Sequence, residues 1–201
     1  MGCGKSVLLS HGLSLHQKHC ANKDLLEILK DENFPLAIHI SFNVKTSFSH
    51  EHETKIDLAV IRRILASCLG LNWHAALDLP LSESLRVEDC LCALMTYHRT
   101  ENGMKEDQKL FMYLGIDEIG ELVRYSGGGA KPDITSLMGV ARALRSLSPP
   151  NGFVSTLLAG THFADMTESF LRTGIKPLNL KLTRLSEEAI DSMLLSDARV
   201  S

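Results

Sequence analysis

The run Leu110-Phe111-Met112-Tyr113-Leu114-Gly115-Ile116 constrains the fold more than any other part of this chain. Six of its seven residues are apolar, Gly115 being the exception, and nothing in it alternates. A short, uninterrupted apolar run suits a strand buried on both faces, and such strands belong to parallel sheets covered by helices. The run ends abruptly in Asp117-Glu118. Two carboxylates therefore stand at the C-terminal end of a buried strand, which is where open α/β sheets hold their ligands.

A second pattern lies roughly 110 residues upstream. Gly2-Cys3-Gly4-Lys5-Ser6 matches the latter half of G-x-x-x-x-G-K-[ST]. In such a loop the backbone N–H groups surround phosphates, the lysine reaches the β and γ oxygens, and the final hydroxyl ligates Mg²⁺. On this reading Lys5 and the loop amides hold ATP, and Ser6 with Asp117 holds Mg²⁺. Glu118 is then the base that orients and polarises the attacking water. Each pattern has a plainer explanation when taken alone, a chance glycine-lysine match or an acidic turn after a buried strand. The spacing of the two together favours the nucleotide reading.

The rest of the chain alternates helix and strand patterns. Helices are expected over Ser6 to His19, Asp24 to Lys30, Lys55 to Leu71, Ser82 to Tyr97, Ile134 to Leu147, His162 to Leu171 and from Ser186 onward. Strands are expected at 35–42, 110–116, 153–159 and 178–182. Val44 to Glu53 reads as a polar loop, and Gly127-Gly128-Gly129 marks another. This order predicts one α/β domain over residues 1–201, a parallel sheet with helices on both faces in three layers.

Composition agrees. A chain of 201 residues with 44% hydrophobic content can bury a real core. A formal net charge of −3 supplies no broad basic field for nucleic acid or an anionic membrane. The apolar runs are too short to span a bilayer. Five unpatterned cysteines suggest a reducing, intracellular setting, cytoplasm or nucleus. His50-Glu51-His52-Glu53 reads as a solvated loop, Cys90 and Cys92 as residues of a packed helix, and Arg62-Arg63 as a surface charge pair.

Gly-Lys-Ser followed by an apolar strand ending in Asp-Glu resembles the P-loop ATPases with an additional catalytic glutamate, the division containing the AAA+ and signal-transduction (STAND) ATPases. The segment Pro35 to Asn43, the helix around Ile61-Arg62-Arg63-Ile64-Leu65 and the stretch Lys176 to Leu195 also resemble the ATPase regions of Crinkler-type effectors and retrotransposon-hot-spot proteins. The resemblance implies a P-loop NTPase core with Gly2, Cys3, Gly4, Lys5, Ser6 and Val7 around the phosphates. It implies that Asn43 restrains the catalytic glutamate and that Thr161 is a sensor of the γ-phosphate. Arg172 would be an arginine finger reaching into a neighbour, which requires a head-to-tail homo-oligomer. The first strand and first loop glycine would precede Met1, and a helical lid would follow Ser201, so the chain is expected to be a fragment. An inactive relic of such an ATPase is the main alternative. A small-molecule kinase is a third reading, disfavoured because Glu118 would activate water.

Overall fold

The computed structural model describes residues 5–30, 35–49, 51–121 and 152–160. The elements expected within 122–150 and 161–201 lie outside these. The described chain runs α1 (Lys5–Ser10), α2 (Gly12–His19), α3 (Lys23–Lys30), β1 (Pro35–Ser41), a 3₁₀ turn (Val44–Thr46), α4 (Ile56–Leu69), α5 (Trp73–Leu77), α6 (Val87–Glu101), β2 (Leu110–Asp117) and β3 (Gly152–Leu158). Among the described residues the sheet is parallel throughout, in the order β1-β2-β3. The α/β expectation holds.

β2 is central because it has the apolar side chains for both faces. Leu110, Met112, Leu114 and Ile116 join Ile38 and Ile40 of β1 beneath α4 and α6, in a core with Ile56, Val60, Ile64, Leu91 and Met95. Phe111 and Tyr113 point the other way and meet Ile28 and Leu29 of α3, with Leu13 of α2 against them. Strand alternation thus feeds two cores from one run. Gly115 has its own reason. A Cβ there would come within 3.2 Å of the His39 ring and 3.3 Å of the Tyr113 hydroxyl.

The expected single helix from Ser6 to His19 is instead two, broken at His11. Tyr113 supplies the cause. It is fully buried, and its hydroxyl donates to the Leu9 carbonyl oxygen at 2.9 Å. A carbonyl held by a side chain in this way interrupts the helical ladder. Gly12 packs directly against the Tyr113 hydroxyl, where a Cβ would collide with the ring. Glycine is therefore needed here for room.

Three further expectations are corrected. The helix expected from Ser82 begins at Val87, whose N–H donates to Asp57 Oδ1 of α4 at 3.2 Å. Helix α5, short and capped by Asn72 Oδ1 accepting from the Ala75 N–H, carries too few residues to show a period. Arg62 and Arg63 are not a surface pair, being only 6% and 3% exposed. Arg62 Nη1 donates to the carbonyls of Ala76, Leu77 and Leu79 at 2.7, 2.8 and 2.9 Å, closing the end of α5. Arg63 pairs with Glu53, so the last residue of the supposed solvated loop is also buried. Cys90 behaves as expected of a packed helix: it is buried, and burial pushes its thiol up to about 11.

Two predictions follow from the seam between α2 and the sheet. Tyr113→Phe should cost about 1 kcal/mol, the worth of one hydrogen bond. Gly12→Ala should cost more, since the ring or the helix must move, and urea unfolding would rank the two. His16 forms the second test. Its Nε2 lies 2.9 Å from Ser155 Oγ of β3, and its ring meets Phe111 and Tyr113 edge-on. Burial lowers the His16 pKa below 6.5, and His39 is lowered for the same reason. The fold therefore favours neutral imidazole, and the unfolded chain binds more protons as pH falls below 6.5. Stability should be full above that value and decline toward the lowered folded pKa. Urea midpoints between pH 7.5 and 5 should fall in wild type and fall less in His16→Gln.

Candidate functional site

Parallel pairing places Ser41 of β1 opposite Asp117 of β2, so both strands end at one level. The chain after β1 continues that edge, with the Phe42 N–H donating to the Asp117 carbonyl at 3.1 Å. Helix α1 starts nearby and brings Ser6 to the same place. Ser6 Oγ donates to Asp117 Oδ2 at 2.5 Å, across 111 positions of sequence. The other carboxylate oxygen, Oδ1, accepts from the Glu118 N–H at 3.0 Å. One carboxylate thus ties together the helix start, the strand end and the turn that follows.

Glu118 stands in the left-handed region, with φ of 52°. A non-glycine residue there costs roughly 1–3 kcal/mol and persists where its surroundings fix it. Here they do. Asp117 holds its N–H, its own carbonyl accepts from Glu121, and the next residue, Ile119, donates to the Ala159 carbonyl at 3.1 Å. The segment that follows β3 is therefore pinned against the turn that carries Glu118.

Asn43 is where the sequence puts it, at the end of the β1 extension, but its carbonyl is occupied locally. Oδ1 accepts from the Lys45 N–H at 2.9 Å and the Thr46 hydroxyl at 3.3 Å. This is the strand-end cap that Asn favours. Of the other candidates, the Lys5 backbone opens α1 and Val7 lies within it. Gly2, Cys3, Gly4, Thr161 and Arg172 lie outside the described residues.

The donor set is a hydroxyl and one carboxylate. Among the described residues no group of three or more His, Cys, Asp or Glu gathers to hold a metal. A hydroxyl and a carboxylate are hard oxygen donors, the kind that Mg²⁺ and Ca²⁺ accept in preference to nitrogen or sulfur. Also among the described residues, no helix is long and apolar enough to cross a membrane. Sequence reasoning missed Arg63, Glu53 and Thr46, which anchor the end of β1. Two arginines set within the apolar run Leu58 to Leu65, with no polar neighbour on either side, were the signal for burial.

The strain at Glu118 gives a direct test. Asn tolerates the left-handed region better than Glu, so Glu118→Asn should raise stability by about 1 kcal/mol in chemical unfolding. A loss of comparable size would mean that the Glu118 side chain stabilises the fold by more than its backbone strains it.

Known protein families, curated proteins and solved structures were all compared with this chain, and none matches it.

Proposed function

We propose that this chain is the core of a P-loop ATPase, binding MgATP at the Ser6–Asp117 edge of the sheet and hydrolysing it with Glu118. The observation that carries this reading is the Ser6–Asp117 hydrogen bond. A hydroxyl following Gly-Lys and a carboxylate ending a buried strand were assigned to one Mg²⁺ from separate parts of the sequence. Their meeting at a strand's C-terminal end supports a shared ligand.

In this reading Lys5 and the preceding loop amides hold the β and γ oxygens, and bound Mg²⁺ neutralises phosphate charge. Asp117 and Ser6 supply its protein ligands. Glu118 accepts the proton of the water that attacks the γ-phosphorus, and ADP leaves with the bridging oxygen. The strained backbone of Glu118 supports the assignment, since such strain clusters at functional turns. Asn43 as a restraint on Glu118 through its amide N–H₂ group, its Oδ1 being taken by Lys45 and Thr46, Thr161 as a γ-phosphate sensor and Arg172 as a finger in a head-to-tail homo-oligomer complete the proposal. ATP turnover as a conformational switch or motor is the activity that such an arrangement serves.

The test separates binding from chemistry. At a hundredfold its dissociation constant MgATP adds about 2.7 kcal/mol to stability, so the melting temperature should rise. Lys5→Ala should abolish the rise. Glu118→Gln should keep it and lose most turnover, while Asp117→Asn should weaken the Mg²⁺-dependent part of binding. An equal rise in Lys5→Ala sinks the phosphate site. Binding without turnover in wild type favours the inactive relic.

A further inference from the structure

Arg63 is the most heavily used side chain in the described structure, and the proposed chemistry gives it no part. Its side chain is 2% exposed and that of Glu53 is not exposed at all. Nη1 donates to Glu53 Oε1 and to the Ala59 carbonyl, both at 2.5 Å. Nη2 donates to the Thr46 carbonyl at 2.6 Å, and Nε to the Ser41 carbonyl at 3.2 Å. The guanidinium carbon also lies 4.0 Å from the centre of the Phe42 ring and 4.4 Å from that of Trp73. Burial lowers the Arg63 pKa, while the hydrogen bond and charge of Glu53 raise it.

Two of these partners belong to the edge of the candidate site. Ser41 pairs with Asp117, and the Phe42 N–H donates to the Asp117 carbonyl. Thr46 strengthens the same corner, its hydroxyl reaching the Ser41 carbonyl at 2.6 Å and Asn43 Oδ1 at 3.3 Å. A displacement of Asp117 along the strand must therefore move Ser41 and Phe42, and with them the guanidinium. Trp73, against that guanidinium, is the first residue of α5. The far end of α5 is held by the neighbouring Arg62. A structural ion pair needs one partner, whereas this one joins the strand end, the following turn and a separate helix.

We infer that Arg63 is a positioning residue for the end of β1, and that it carries the occupancy of the Ser6–Asp117 site to Trp73 on α5. The inference rests on the phosphate-site reading above. Trp73 is the chain's single tryptophan, so its fluorescence reports the relay without a label.

The experiment titrates MgATP into the full chain, reading Trp73 emission and, in parallel, binding heat by calorimetry. Wild type should show an emission change that saturates with the heat, and Lys5→Ala should show neither. Arg63→Lys keeps the charge opposite Glu53 but loses the planar fork and its stacking. It should bind MgATP within roughly threefold of wild type, since it is remote from the phosphates, and lose the emission change. Thr46→Val leaves the buried pair intact and removes only a hydroxyl, so it should fold even where Arg63→Lys does not, and should weaken the emission change at unchanged affinity. Binding heat with no Trp73 response in wild type overturns the relay and leaves the phosphate site standing. A full Trp73 response in either folded variant overturns the part given to this corner. Neither heat nor emission change in wild type takes down the phosphate-site reading, and this inference with it.

Discussion

Burial of β2 on both faces is the constraint from which the other contacts follow. Leu110 through Leu114 and Ile116 are at most 1% exposed, with helices α4 and α6 over one set of side chains and α1 to α3 over the other. Each such side chain contributes roughly 1.5–3 kcal/mol when fully removed from water. A strand covered on both faces cannot slide by one residue, because every side chain would exchange cores. The register of Asp117 is therefore set by packing far below it. That fixity allows one carboxylate to serve as the meeting point of α1, β1 and the Glu118 turn.

The two consecutive arginines of α4 show how the fold handles charge in its interior. Desolvating a guanidinium is expensive, and a buried ion pair by itself returns little net stability. The structure compensates with many acceptors instead. Arg62 meets three backbone carbonyls and Arg63 meets three more in addition to Glu53. Several of those carbonyls also accept from other donors, Ala76 from Asp78 and Leu79, Leu79 from Leu81 and Ser41 from the Thr46 hydroxyl, so the guanidiniums use the second lone pairs of carbonyls that the backbone has brought together. The connections after β1 and α4 are thereby held by polar contacts in addition to the apolar packing of Phe42 and Phe48. Such contacts are directional, so this corner responds to small shifts at the strand end more than a greasy contact would.

The edge around Asp117 breaks the local preferences that the interior obeys. Glu118 occupies a backbone conformation suited to glycine or asparagine, and α1 ends within two turns because Tyr113 takes a carbonyl from it. Local rules usually fail where function or strain is concentrated. The first of these departures adjoins the Ser6–Asp117 contact directly. The proposed ATPase chemistry and the proposed relay draw on this same corner, one through side-chain oxygens and the other through the backbone of β1.

The sequence alone determined the class of fold and the main strands. β2 was legible because seven positions without alternation admit few other readings, and β1 and β3 followed from their apolar content. It also singled out Ser6, Asp117 and Glu118, since motif spacing survives without coordinates. What it could not supply were contacts between residues distant in the chain. The break at His11 depends on a hydroxyl 104 positions away. The burial of Arg62, Arg63 and Glu53 depends on which carbonyls the tertiary fold gathers around α4, and charge taken alone argued for the surface. Asn43 shows the boundary within one residue. Its turn preference could be read from residue type, but the partners of its amide depend on how Thr46 and Arg63 close the end of β1. Apolar periodicity records which face a residue turns to the interior; hydrogen-bond partners exist only once the chain has closed on itself.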